Sequence, residues 1–359
     1  MSHTVIDRKP STGEAPPARS LAHRRMPRWA PAGIALASVA LASAIGMAAG
    51  WESRVQWGMI AAVFFVTGTY VITTAVEGSR QAKDRIATSV VWVCFVLAIV
   101  PLASLAWTTV ERGSRILDGY FLSHSMAGLN QNTPGGGIYH AIIGTLEQVA
   151  IATLIAVPIG LLTAIYLVEY GRGSLAKAVT FFVDVMTGIP SIVAGLFILS
   201  TWVLTFDMGP SGFAGALALT ILMMPVVVRS TEEMLKLVPN ELREASLALG
   251  VPKWRTILKV VLPTAIGGIT TGVMLAVARI AGETAPVLLL VLGSSFINND
   301  PFDGTQASLP LYVYQEYMLG TPHSYDRAWG AALVLIIFVM VLNLVARGIA
   351  RWKAPKTGR

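Results

Sequence analysis

The chain has 359 residues, 54% of them hydrophobic and only 13% charged, with a formal charge of +7 and a mean hydropathy of +0.63. That balance excludes an ordinary soluble domain and points to an all-α protein that crosses a membrane several times. The single cysteine, Cys94 in an apolar run, excludes a disulfide framework or a cysteine metal cluster within the chain, and the Lys and Arg excess reads as cytoplasmic-loop charge rather than a nucleic-acid surface.

In chain order, residues 1–28 are rich in Pro, Ala, Ser and Arg without apolar periodicity, and are expected to form a disordered basic tail. Residues 29–50 form the first apolar run, long enough for a crossing at about 20 residues. Ala42-Ser43-Ala44 offers a small-residue cleavage site, but the run exceeds the apolar core of about 7–15 residues of a secretory signal, so an uncleaved span is expected. A second run covers 55–76, a charged turn follows at Arg80, Lys83, Asp84 and Arg85, and a third run covers 86–110. Between 111 and 137 an interfacial segment is expected, with Ile116, Leu117, Tyr120 and Phe121 at helical spacing before a Gly-rich turn. The fourth crossing, 138–168, carries Glu147 and Pro158; the fifth, 178–204, is interrupted by Gly188-Ile189-Pro190-Ser191; the sixth, 213–228, contains Pro225. A polar loop leads to a seventh crossing over 264–292, an outer loop with Asp300, Asp303 and Asp326, and an eighth crossing over 328–346. This divides the chain into a two-helix membrane extension (29–77), a transmembrane domain (86–350) with a cytoplasmic loop at 230–263, and a short cytoplasmic tail (351–359). With the N-terminus in the cytoplasm, 22 Lys and Arg fall on the inner side and four (Arg54, Arg112, Arg115, Arg327) outside, so both ends are expected in the cytoplasm.

No phosphate-binding loop, zinc-protease signature, nucleophile elbow or dinucleotide fingerprint is present, so the chain is expected to be no enzyme and to hold no cofactor of its own. His124 and His140 lack partners at metal-ligand spacing and read as interfacial residues, with no metal site. In the polar loop, Leu242, Ala245, Ser246 and Leu249 fall at i, i+3, i+4 and i+7, with Asn240 as the expected cap, Glu241 and Glu244 near the positive helix end, and Gly250 as the stop. Trp254, Ile257, Leu258 and Val261 repeat the spacing before Pro263 begins the seventh span. A helix of about ten residues is marginal alone and needs either a protein groove or a headgroup layer to lie in; periodicity does not choose between them.

Glu244-Ala245-Ser246, three residues, Gly250, nine residues and Val260-Val261-Leu262-Pro263 resembles the EAA loop of ABC importer permeases, with Ser246 in place of Ala and Val260 in place of Ile. The resemblance implies that Leu242, Glu244, Ala245, Leu249 and Gly250 belong to a coupling helix that docks into an ATPase subunit. The runs Gly136-Gly137-Ile138, Gly188-Ile189-Pro190-Ser191-Ile192-Val193-Ala194-Gly195-Leu196-Phe197, Val228-Arg229-Ser230-Thr231-Glu232-Glu233 and Ala278-Arg279-Ile280-Ala281-Gly282-Glu283-Thr284-Ala285-Pro286 resemble phosphate-transport permeases of the PstA type. That resemblance implies a type I importer permease core of six transmembrane helices, to which the first two spans are an addition. It also implies a cytoplasmic-membrane assembly with a second homologous permease chain (PstC-like), an ATP-binding subunit dimer (PstB-like) that carries ATP and Mg, and an extracytoplasmic phosphate-binding protein (PstS-like).

Arg279 and Glu283, four apart on one expected helix face near the bilayer midplane, would each cost about 2.5–3.5 kcal/mol there. Either they form a self-contained pair, or Arg279 offers its planar fork to a tetrahedral oxyanion while Glu283 orients it and accepts a hydrogen bond from a protonated phosphate oxygen; the resemblance places permeation residues in this motif. Arg229 reads as a snorkelling anchor or, by the resemblance, as part of the exit path, and Glu147 and Asp184 are expected to face the bundle or the pathway. Gly268 and Gly272 fit close helix packing. Two other readings stay open: a permease for another oxyanion, and an ATPase-independent channel or secondary transporter.

Overall fold

A computed structural model describes residues 26–353 except residue 131. The expected tails at 1–28 and 351–359 lie outside the described residues apart from three positions each. The chain divides into two compact units, one up to Leu105 and one from Ala106.

The first unit holds α1 (Ala30–Ala48), α2 (Arg54–Val76) and most of α3 (Ser79–Gly113). Helices α1 and α2 pack along one another. Outward residues of the three helices, such as Leu36, Val63, Phe95 and Leu102, are exposed, as lipid-facing side chains are. Glu77 closes the corner between α2 and α3: its buried carboxylate accepts from Arg85 Nε and a second Arg85 nitrogen, both at 2.9 Å, and from the Met26 backbone N–H at 2.5 Å. A cavity of about 440 Å³ lies beside it, lined by Phe65, Thr69, Gln81, Arg85 and Trp92 among others.

In the second unit follow α4 (Gly119–Ser123), α5 (Tyr139–Ile165), α6 (Gly173–Thr187), α7 (Ser191–Ile198), α8 (Gly212–Lys236), α9 (Asn240–Ala248), α10 (Lys253–Thr256), α11 (Leu262–Ile280), α12 (Ala285–Val291), α13 (Leu309–Leu319) and α14 (Pro322–Lys353). Widened π turns extend α5 (Tyr166–Tyr170) and α7 (Leu199–Thr205) and join α10 to α11 (Ile257–Val261). Helix α8 is the hub: 67% of its most apolar stretch is buried, and it lies against α5, α6, α7, α11 and α12. The central core joins Val149 and Ala152 of α5, Leu219, Met223 and Val227 of α8, Val277 and Ile280 of α11, and Val287 and Val291 of α12.

Close approach of α11 to α8 depends on two glycines, in line with the expected small-residue packing. A Cβ on Gly272 would meet Ser230 at 2.5 Å, and one on Gly268 would meet the Met234 sulfur at 2.1 Å. Gly272→Val should therefore cost about 1–3 kcal/mol by overpacking. A thermal midpoint in detergent equal to that of the parent would contradict this contact.

Several elements differ from the sequence reading. The third, sixth and eighth crossings run longer than expected. The sixth gains two turns, to Lys236, because Glu232 accepts from Arg229 and Lys236, each at 2.6 Å, which neutralises the polar end along one face. The fifth is not one helix: α6 and α7 are bent by 107° at Gly188-Ile189-Pro190. The bent pair still crosses once, because α6 packs into the core around Val183, Leu235 and Val261 while α7 packs into the one around Ala214 and Leu290, at the opposite end of α8. The seventh crossing begins earlier, at Lys253, as a rod to Ile280, and ends sooner. Pro263 does not open it. A proline lacks the N–H and crowds the carbonyl one turn back, and the π turn at Ile257–Val261 takes up that mismatch. In the 111–137 segment α3 runs on to Gly113, and beyond it, among the described residues, only Gly119–Ser123 is helical, started by Asp118, whose carboxylate accepts the Phe121 N–H at 2.7 Å.

Candidate translocation and docking sites

Two breaks occur in this part of the fold: the fifth crossing is broken at Gly188-Ile189-Pro190, and the rod that ends at Ile280 stops four residues before the short helix α12. Helices α7 and α12 pack so closely that a Cβ on Gly195 would meet Pro286 Cα at 2.8 Å. Arg279 and Glu283 flank the second break: Arg279 stands in the last turn of α11, and Glu283 lies in the four-residue gap before α12. The expectation of a shared helix face is thus corrected, since Gly282 and the Pro286 that starts α12 end the i to i+4 ladder between them. Arg279 Nε and Glu283 Oε1 are 3.8 Å apart, beyond hydrogen-bond reach, with 58% of the arginine side chain exposed. Among the described residues the guanidinium makes no hydrogen bond, and it meets Glu283 at ion-pair distance only.

Arg229 is engaged differently. It donates to Asp184 on α6 and, at 2.6 Å, to Glu232, which in turn holds Lys236. The chain Asp184, Arg229, Glu232, Lys236 ties α6 to the end of α8 and engages two of the five N–H donors of the guanidinium. Glu147 lies at the other end of the bundle. Its carboxylate accepts from Gln306 Nε2 at 2.5 Å, while Gln306 Oε1 accepts from the buried Gln148 at 2.9 Å. The loop residue Gln306 carries this contact and was invisible to helical periodicity.

The loop helix α9 forms, with Gly250 as its left-handed stop at φ +75°. Asn240 does not cap it: Pro239 stands at the N-cap, and Asn240 Oδ1 accepts from Arg243 at 3.2 Å. The expected apolar stripe is split. Ser246 is buried and shares a hydrogen bond with Thr256 at 2.9 Å, which gives the hydroxyl that replaces Ala a partner, whereas Leu242, Glu244, Ala245 and Leu249 face outward. Leu249 is 83% exposed.

Sequence reasoning missed the strongest buried charge pair. Arg327, counted as an outer surface charge, is 0% exposed and donates to Glu316 at 2.8 Å and to the carbonyls of Thr133 and Gly135. Burial pushes the Glu316 carboxyl above its usual range, against the opposite pull of Arg327. Glu316 lies on α13, expected as loop, although Pro310 in its first turn and Gly320 just past its end are helix start and stop signals. His140 is likewise not interfacial: it is 2% exposed and meets the Tyr312 ring edge-on at 5.3 Å.

Residues 156–359 match the family of binding-protein-dependent transport system inner membrane components. The chain belongs to this family. Among its relatives is the phosphate transport system permease protein PstA 1 of Mycobacterium tuberculosis (strain H37Rv), 51% identical over 74% of this chain and 87% of the relative. The PstA of Mycobacterium leprae is 49% identical over 76% and 90%, and that of Pasteurella multocida 39% over 75% and 94%. A chain in the crystal structure of a bacterial alginate ABC transporter, bound to its pentasaccharide-loaded periplasmic protein, superposes with a TM-score of 0.57 at 16% identity, covering 77% of this chain and 97% of that one. The fold is therefore that of an ABC importer permease of type I. The family match takes in α6 to α14, hence both breaks and the loop helix α9.

Proposed function

We propose that this chain forms half of the translocation path of an ATP-driven importer of inorganic phosphate, and that Arg279 and Glu283 handle the anion at the break between α11 and α12. The carrying observation is the similarity to phosphate permeases, over about three quarters of this chain and most of theirs, combined with an arginine that makes no hydrogen bond beside the gap between α11 and α12. Broken helices expose backbone donors and acceptors at membrane depth only where they line protein or a path. There Arg279 presents its fork to two phosphate oxygens, and Glu283 accepts from a protonated oxygen, which sulfate lacks at neutral pH.

The subunit hydrolyses nothing itself. ATP and Mg act on an ATPase dimer (PstB-like) that receives Leu242, Glu244, Ala245, Leu249 and Gly250 of α9. A second permease chain (PstC-like) completes the path, and an extracytoplasmic phosphate-binding protein (PstS-like) delivers the anion. The charge count supports the cytoplasmic membrane with both termini inside. Glu147 at the outer end and Arg229 at the inner end flank this route.

Reconstitution in liposomes tests the reading. Phosphate uptake should require ATP, the ATPase and the binding protein, and Leu249→Asp should abolish recovery of the ATPase with the permease while insertion persists. Uptake by the chain without an ATPase would establish a self-sufficient carrier instead, and stronger uptake of molybdate or a phosphonate would name another anion.

A further inference from the structure

We infer that Arg243 and Glu169 form the joint through which the docking helix moves the membrane helices, so that motion passes sideways into α5 and α8 as well as along the chain into α11. This rests on α9 being the ATPase-docking element. Helix α9 has nine residues and buries only Ser246, so apolar packing does little to hold it. Arg243 holds it instead. Its guanidinium donates to the carbonyls of Leu235 at 2.8 Å and Val238 at 2.6 Å, to Asn240 Oδ1 at 3.2 Å, and to Glu169 Oε1 at 2.9 Å. The first two lie at the C-terminal end of α8, where the helix dipole favours a cation. Glu169 lies in the π turn that ends α5.

The Arg243 and Glu169 side chains are 15% and 7% exposed. A pair this enclosed resists opening, because removing either partner strands a charge away from water. Lys253 reaches the same point from the other side of the loop: it donates to the Glu169 backbone carbonyl and lies over the Tyr170 ring, 4.7 Å from its centre. Lys253 begins the continuous rod that ends at Ile280, one residue past Arg279. The ends of α5 and α8 and the start of that rod therefore meet at one charged knot. Glu244, the next residue along, faces outward, so α9 presents a docking face and an anchoring face from adjacent positions.

The test uses the complete transporter in proteoliposomes, with Glu169→Gln and Arg243→Lys, and reads phosphate moved per ATP hydrolysed. Glu169→Gln keeps the bonds of Arg243 to α8 and of Lys253 to the backbone, so subunit recovery should match the parent. ATP hydrolysis stimulated by the phosphate-loaded binding protein should stay within about twofold while phosphate moved per ATP falls about tenfold, a loss of coupling rather than of docking. Arg243→Lys should behave alike, because an ammonium cannot span carbonyls and carboxylate together. An unchanged ratio in both variants, or equal loss of hydrolysis and transport with loss of the ATPase subunit, would overturn the joint. Failure of the parent complex to need ATP would instead overturn the importer reading beneath it.

Discussion

Arg279→Gln should abolish phosphate uptake in a complex that still inserts, assembles and hydrolyses ATP. Glutamine keeps much of the side-chain length and some donors but loses the charge and the planar fork. Truncating one partner of a desolvated, charge-assisted contact costs about 2–5 kcal/mol, a factor of about 30 to several thousand in affinity. Arg229 is already engaged by Asp184 and Glu232. Arg279→Lys, which keeps the charge without the fork, should retain part of the activity. Radiolabelled phosphate uptake with parallel quantification of inserted subunit separates the outcomes, and normal uptake by Arg279→Gln would remove Arg279 from the path.

The largest effect on stability is expected at the other end of the second unit. Arg327→Leu leaves Glu316 buried without its partner, together with the carbonyls of Thr133 and Gly135. The cost should be about 3–5 kcal/mol, enough to depress the recovery of folded subunit. The double variant Arg327→Leu, Glu316→Leu removes both charges and should recover much of that loss, since a well-packed apolar pair avoids the desolvation penalty. Thermal unfolding in detergent of the two variants beside the parent decides it; a double variant no better than the single would show that the backbone bonds of Arg327 outweigh the ion pair.

The membrane class, the apolar runs, the docking-loop spacing and the motif around Arg279 were all legible in the linear chain. Each depends on short-range pattern: run length against bilayer thickness, helical period in Leu242 to Leu249, and the local cost of charge among apolar neighbours. Proline and glycine even marked both breaks, at Gly188-Ile189-Pro190 and at Gly282 to Pro286. What run length could not say is whether such marks kink a helix or end it, because that depends on neighbours able to take up the freed backbone groups. Here α7 and α12 pack against each other.

Partnership between distant charges was out of reach for the same reason. Arg243 meets Glu169 across 74 positions, Arg229 meets Asp184 across 45, and Gln306 meets Glu147 across 159. No periodicity encodes such distances, and the packing of α5, α6 and the loop segments around α8 sets them. By itself the sequence determined that the chain crosses a membrane, carries a short amphipathic helix in a polar loop and sets an arginine within an apolar run, since these follow from composition and spacing. Only the tertiary structure decided which charges meet: it paired Arg229 with Asp184 and Glu232, Arg243 with Glu169 and Arg327 with Glu316, and left Arg279 3.8 Å from Glu283 at the end of its helix.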